Sequence, residues 1–376
     1  MCSEKFINSS IIGIIIFWNY CLKFNICFGG ITMATSLCFF NNKGGVGKTT
    51  LTCNIASYIA TVHQKRVLVV DTDPQCNATQ YILSFDETED LFGSKSENTV
   101  LDVILPLEEG NANINIDVVP VKKEFNRFNV DLLPGHPKIA LFEDKFSRAW
   151  LDLNNDIGSL RTTNWCYQLN SYFSDEYDII IYDVGPSLGA LNRTILLGCD
   201  YFVSPMGCDT FSIMGINNIS DWLRDWHALY SANFKFIKER KTELVEKYKD
   251  DLVNSIDTQS KFIGYTIQQY IVTKSAGSRA RPTKAFEKIL EKIPGEVSDN
   301  LNTFTPGKLD KNKLRLGDVP HLYSLVPLSQ SANTPIFLLE SKDGLVGSQY
   351  AQLNNYKEMI KSITYNLLEN IKESGL

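Results

Sequence analysis

The sequence predicts an α/β protein, a mostly parallel β-sheet flanked by helices on both faces, on the strength of three observations. Short apolar runs such as Arg66-Val-Leu-Val-Val70 and Asp178-Ile-Ile-Ile-Tyr182 show no polar alternation, as strands covered on both sides do. Each run ends directly in an aspartate, Asp71 and Asp183. Segments with helical spacing lie between the runs, and strands alternating with helices imply crossover connections and parallel pairing. The 376 residues are 44% hydrophobic and 21% charged, an ordinary globular balance with enough length for a large core.

The first 32 residues stand apart. Ile11-Ile-Gly-Ile-Ile-Ile-Phe-Trp18 is strongly apolar, but Asn19, Lys23 and Asn25 interrupt it before it reaches the roughly 20 residues a spanning helix needs. A signal peptide would carry a basic cluster ahead of the run and a small-residue cleavage site, and Lys5 alone is a poor basic region. Met33 is the expected natural start, with residues 1–32 a non-core extension; a membrane anchor is the alternative. Residues 33–376 are expected to form one domain with helical insertions.

From Met33 the elements follow in order. Ser36-Leu-Cys-Phe-Phe40 is a buried strand, followed by a glycine-rich loop. A helix runs from about Thr49 to Val62, with Leu51, Ile55, Tyr58 and Ile59 at helical spacing. The runs ending at Asp71 and Asp183 are the second and third strands; Tyr201–Ser204 and Phe262–Ile267 are the fourth and fifth. His321–Val326 reads as a further strand. Residues 84–100 are polar and acidic and read as a surface loop, and residues 138–173, with Trp150 and Trp165, read as helical. Lys235–Asp251 is dense in both charge signs, the pattern of a solvated helix. The tail carries a stripe of Ile360, Ile363, Leu367 and Ile371, expected to pack on the core. Nine cysteines are scattered singly with no CxxC pair, which reads as reduced cysteine in a cytosolic protein and speaks against a zinc or iron-sulfur site. A net charge of −6 confines any nucleic-acid contact to a local basic patch.

The chemistry concentrates in three segments. Lys43-Gly-Gly-Val-Gly-Lys-Thr-Thr50 lies between a strand and a helix, the context that makes a glycine-rich run a phosphate-binding loop. Glycines let backbone N–H groups surround phosphate oxygens, and the helix N-terminus adds positive potential. Gly44, Gly45, Val46 and Gly47 form the cradle, Lys48 reaches the β- and γ-phosphates, Thr50 continues the loop, and Thr49 offers its hydroxyl to Mg²⁺. The fold class narrows to a P-loop NTPase binding Mg²⁺ and ATP. Asp71-Thr-Asp73-Pro-Gln75 places two carboxylates two apart at a strand end, so both can face the phosphates. Asp183, ending an apolar run, matches the carboxylate that holds Mg²⁺ directly or through water.

These motifs resemble the ParA/MinD family of P-loop ATPases. Lys43 stands where that family has a second lysine; Asp71-Thr-Asp73-Pro-Gln75-Cys-Asn77-Ala-Thr79 and Asp183-Val-Gly-Pro186-Ser-Leu-Gly189 resemble two further family segments. Matching segments run from about Ser36 to Phe337. The resemblance implies a homodimer that sandwiches ATP, with Lys43 crossing to the partner's phosphates. It implies that Asp73 orients the attacking water, that Asp71 supports the Mg²⁺ shell and that Gly185 senses the γ-phosphate. Gln268 and Pro327 fall where the family contacts adenine, although Gln268 replaces an asparagine.

The resemblance leaves the cargo open. Lys274-Ser-Ala-Gly-Ser-Arg279-Ala-Arg281-Pro-Thr-Lys284 carries four cations and no acid, and both an exposed basic loop and a contact to DNA phosphates fit it. The first expectation is a cytoplasmic, nucleoid-associated ParA-like ATPase that hydrolyses ATP slowly and drives DNA partitioning or cargo positioning. A centromere-binding or other partner protein would stimulate it. The alternative is a MinD-like membrane-associated positioning ATPase. An iron-sulfur relative is a third class, disfavoured by the missing CxxC.

Overall fold

The strands are β1 (Thr35–Phe39), β2 (Val67–Asp71), β3 (Asp131–Leu133), β4 (Ile179–Asp183), β5 (Tyr201–Gly207), β6 (Lys261–Gln268), β7 (Val272–Thr273), β8 (Arg281–Pro282) and β9 (Arg315–Val319). Seven of them form one sheet in the order β3-β2-β4-β1-β5-β6-β9, every pair parallel. β7 and β8 make a separate antiparallel pair. The computed structural model describes residues 34–93, 97–268, 272–273, 281–282 and 284–375. Residues 1–32, expected to be a non-core extension, lie outside these.

Parallel pairing follows from the sequence. β2 and β4 are buried at every position, because crossover helices cover both faces of the sheet. The helices are α1 (Lys48–Val62), α2 (Asn77–Ile82), α3 (Phe85–Phe92), α4 (Val100–Glu108), α5 (Glu143–Leu151), α6 (Ile157–Thr163), α7 (Trp165–Phe173), α8 (Ala190–Gly198), α9 (Thr210–Arg240), α10 (Thr242–Lys247), α11 (Lys284–Leu301), α12 (Leu325–Ser331) and α13 (Gln349–Ser374). The chain moves from β1 to β2 across β4 on one side and from β4 to β5 across β1 on the other. The strand order therefore reverses at β1 and β4, and the crevice beyond their C-terminal ends is where open α/β sheets bind ligands.

The five central strands fall where the sequence places them, within a few residues at each end. The helical reading of 138–173 holds as a 3-10 turn over Pro137–Phe142 followed by α5, α6 and α7. Two readings are corrected. His321–Val326 is not a strand: Pro320, which has no N–H to donate, ends β9, and the chain turns at Tyr323 (φ 46°) into α12. The strand is the less apolar Arg315–Val319, where Gly317 adopts φ 157°; a Cβ there would lie 2.6 Å from Ile363 Cγ1, so glycine lets α13 pack directly on the edge strand. Residues 84–100 are not simply a loop. Glu87 accepts from both Ser84 N and Ser84 Oγ, a reciprocal cap that starts α3. Asp131–Leu133 adds a strand paired with β2.

The tail behaves as expected. In α13, Ile360, Ile363 and Leu367 are fully buried and Ile371 packs partly against the core. The six described cysteines are all buried and free. Among the described residues, no helix is long and apolar enough to cross a membrane.

Candidate functional site

The loop after β1 is held at its start. Asn41 Nδ2 donates to Pro205 O at 2.7 Å, and Asn41 Oδ1 accepts the Lys43 N–H at 2.9 Å. Gly45 and Gly47 take φ of 72° and 73°, a left-handed conformation that glycine adopts without a Cβ penalty. Alternating with residues of ordinary φ, they form the backbone nest that presents N–H groups to an anion. Gly47 also opens α1, whose positive end faces the same space. Val46 is buried.

Lys48, the first residue of α1, is buried with its Nζ 3.0 Å from Lys43 O. Burial lowers its pKa, while Asp183 and Asp73 favour its charged form. Thr49 Oγ1 donates to Asp183 Oδ2 at 2.8 Å. Asp183 ends β4 in register with Asp71 at the end of β2 and with Phe39 of β1. Parallel pairing thus sets the two carboxylates side by side across neighbouring strands.

These two acids are engaged differently. Asp71 Oδ2 accepts from Thr79 N and Thr79 Oγ1, both at 2.7 Å, and Asp71 Oδ1 accepts from Asp73 N at 3.3 Å. Its oxygens pin α2 and the Asp73 loop against the sheet. Asp183 Oδ1 is buried and has no hydrogen-bond partner. Burial, reinforced by Asp71, pushes the Asp183 carboxyl up to about 8, and burial pushes Asp71 up to about 7 against the hydrogen bonds from Thr79. An unpartnered, buried carboxylate oxygen beside a hydroxyl is a fitting half-site for Mg²⁺, which takes one or two protein oxygens and completes its shell with phosphate and water. The described residues contain no cluster of three or more His, Cys, Asp or Glu side chains able to hold a metal ion.

A cavity of about 540 Å³ opens in front of these groups, lined by Gly44, Gly45, Gly47, Lys48, Thr49, Thr50, Asp73 and Pro186 among others. Asp73 is nearly buried. A Cβ on Gly185 would approach its Oδ1 to 3.2 Å, so the two strand-end loops meet at the cavity. A second cavity of about 270 Å³ shares Gly47 and Thr50 with the first and is lined by Gln268, Val319, Tyr323, Pro327 and Tyr356. Gln268 Nε2 donates to Thr266 Oγ1 at 3.0 Å, which fixes the amide at the cavity wall. Polar phosphate cradle and adjoining apolar slot together suit a nucleotide.

Lys43 is not among the residues lining the phosphate cavity; its ammonium pairs with Asp209. Of the candidate DNA contacts, Lys274 and Arg279 lie outside the described residues, Arg281 belongs to β8 and Lys284 opens α11. The structure also adds residues that motif reading missed. Asn192 Nδ2 donates to Gly185 O at 2.8 Å and Ser187 O at 2.7 Å, holding the loop after β4. Glu143 accepts the Ala190 and Leu191 N–H groups at the start of α8. Gln80, Tyr81 and Gln330, with Gln75 and Asn77 of the Asp71–Thr79 segment already noted, complete the lining of the phosphate cavity. Val319, Tyr323 and Tyr356 join the expected Gln268 and Pro327 in the slot.

A family model described as an AAA domain matches residues 34–236. Among known relatives, a virulence plasmid ParA family protein of Chlamydia psittaci is 30% identical over half of this chain and 62% of its own length. The sporulation initiation inhibitor protein Soj of Bacillus subtilis is 29% identical over 51% of this chain and 66% of its own. The chain thus spans less than two thirds of each of these relatives. Among solved structures, a protein of Corynebacterium diphtheriae superposes with a TM-score of 0.66 at 35% identity, over 80% of this chain and 97% of that one. A plasmid partition protein of Borrelia burgdorferi bound to AMPPNP shares the fold at 18% identity, with a TM-score of 0.51 over 90% of this chain and 98% of its own. The phosphate-binding loop, the second lysine, the strand-end acids and the family match agree, and the chain belongs to the ParA/MinD family of P-loop ATPases.

Proposed function

We propose that this protein is a partition-type ATPase that closes a sandwich dimer on Mg-ATP and hydrolyses it slowly until a partner protein stimulates turnover. Its task is to position DNA or another cargo in the cytoplasm. The observation that supports this most directly is the division of labour between two lysines of one loop. Lys48 lines the phosphate cavity, while Lys43 does not and pairs with Asp209 instead.

Within the cavity the loop N–H groups and Lys48 bind the triphosphate. Thr49 and Asp183 would hold Mg²⁺, which when bound would supply neutralisation of phosphate charge, and Asp71 steadies the Asp73 loop through the Asp73 N–H. Asp73 accepts a hydrogen bond from water and aligns it with the γ-phosphorus, the positioning on which phosphoryl transfer depends. Gly185, held through Asn192, registers whether the γ-phosphate is present. Gln268 and Pro327 enclose the base. Lys43 from the partner stabilises charge on the leaving phosphates, as an arginine finger does.

The named relatives include ParA and chromosome-partitioning proteins, and the basic segment from Lys274 to Lys284 supplies cations for sequence-independent DNA contact. The membrane-associated reading draws no support from the tail, whose apolar stripe is spent on the core. Sedimentation velocity with Mg²⁺ and AMPPNP tests the dimer. Wild type should double in mass, Lys48→Ala should not, Lys43→Ala should do so only at higher protein concentration, and a wild-type monomer at every concentration would contradict the proposal.

A further inference from the structure

The surroundings of Lys43 point to a device that restrains it before dimerisation. After β5 the chain passes through Gly207 to Asp209, which caps α9: Asp209 Oδ1 accepts from Ser212 N at 2.9 Å and Ser212 Oγ at 3.3 Å. The other carboxylate oxygen, Oδ2, takes the Lys43 ammonium. Gly207 makes room for this pair, since a Cβ there would lie 2.8 Å from Asp209 Oδ2 and 3.6 Å from Lys43 Nζ. The α9 N-terminus is the positive end of a 31-residue helix, so it repels an ammonium. The carboxylate reverses that preference. Without it, the cap and the helix field would push Lys43 away.

We propose that Asp209 is a positioning residue that parks Lys43 on its own chain, so that the partner's nucleotide must compete with Asp209 for the ammonium. This rests on the sandwich-dimer reading and adds a threshold to it. Both partners are about one-third exposed, 35% and 36%. An exposed pair of this kind shifts an equilibrium by up to about fivefold, enough to hold back dimerisation at low nucleotide occupancy without preventing it.

The test uses Asp209→Asn, because asparagine caps helices as well as aspartate does and loses only the charge. In the nucleotide-free chain the variant should melt within about 2 °C of wild type, a shift expected of a surface charge. Lys43 should be acetylated faster by a water-soluble active ester, read residue by residue by mass spectrometry. With Mg²⁺ and AMPPNP, Asp209→Asn should dimerise about two- to fivefold more tightly than wild type, and in a Lys43→Gln background the same substitution should change nothing. Unchanged Lys43 acetylation overturns the parking contact. An equal or weaker dimer in Asp209→Asn, or the same gain in the Lys43→Gln background, overturns the threshold. If wild type does not dimerise at all, the sandwich reading fails, while the acetylation rates still decide whether Asp209 holds Lys43.

Discussion

At the scale of single residues, the site is defined by a carboxylate kept in an unfavourable place. Asp183 is fully buried next to a second acid and leaves one oxygen without a partner, an arrangement that costs stability unless a ligand completes it. Its carboxyl ionises near pH 4 in an unfolded chain and near 8 when folded. The folded chain therefore holds the extra proton between these values, and its stability falls as pH rises through that window. Asp183→Asn should raise the nucleotide-free melting transition at pH 8, by about 1–3 kcal/mol in stability, narrow the difference between pH 6 and pH 8, and abolish Mg²⁺-dependent nucleotide binding. Differential scanning calorimetry at the two pH values checks the first two. The same proton must leave when Mg²⁺ arrives, so Mg-nucleotide affinity should strengthen from pH 6 to pH 8 with net proton release. Calorimetric titrations in buffers of different ionisation enthalpy measure it.

At the scale of elements, what the sequence shows depends on how much of an element's reason for existing is local. β1, β2 and β4 are continuous apolar runs because both their faces are covered, so they are visible without a structure. The phosphate loop is visible because each residue type answers a local backbone or charge requirement. β9 is not visible. Arg315, Gly317 and Asp318 make a poor strand on propensity, and they form one because β6 offers an edge and α13 packs over Gly317. The base slot was legible only at Gln268 and Pro327, since Val319, Tyr323 and Tyr356 are gathered from separate elements by the turn after β9. The α3 cap was legible in principle, as Ser84 and Glu87 have the spacing of a reciprocal cap, but the acidic composition pointed to a loop. The packing account carries its own prediction. Gly317→Ala should destabilise the chain by about 1–3 kcal/mol, because its Cβ meets Ile363 and the backbone there favours glycine. Urea unfolding measures this, and a loss below about 0.5 kcal/mol, as at an ordinary surface site, would show that α13 is free to shift.

At the scale of the whole molecule, the phosphate cavity opens at the C-terminal ends of the strands, and the surface beside it is partly apolar. Phe211 and Met214, one helical turn apart on α9 just after its cap Asp209, are 73% and 62% exposed. If they are covered in the proposed sandwich dimer, Phe211→Ser should weaken nucleotide-dependent dimerisation by about 1–3 kcal/mol while leaving monomer stability unchanged. Dimerisation should also govern DNA binding. Replacing Arg281 and Lys284 should lower the salt dependence of DNA affinity by about one phosphate contact each, measured by fluorescence anisotropy across a salt series; an unchanged slope would place the DNA contacts elsewhere. All of these readings require Mg-ATP to sit in the cavity before Lys48, Thr49 and Asp183. Isothermal titration of ATPγS into the full chain, with and without Mg²⁺, tests that requirement most directly. Wild type should bind one nucleotide per chain in a Mg²⁺-dependent manner, and Lys48→Ala should lose at least about a hundredfold in affinity, the value of a buried charged contact to phosphate. Wild type that binds no nucleotide, or Lys48→Ala that binds as tightly as wild type, would contradict the account.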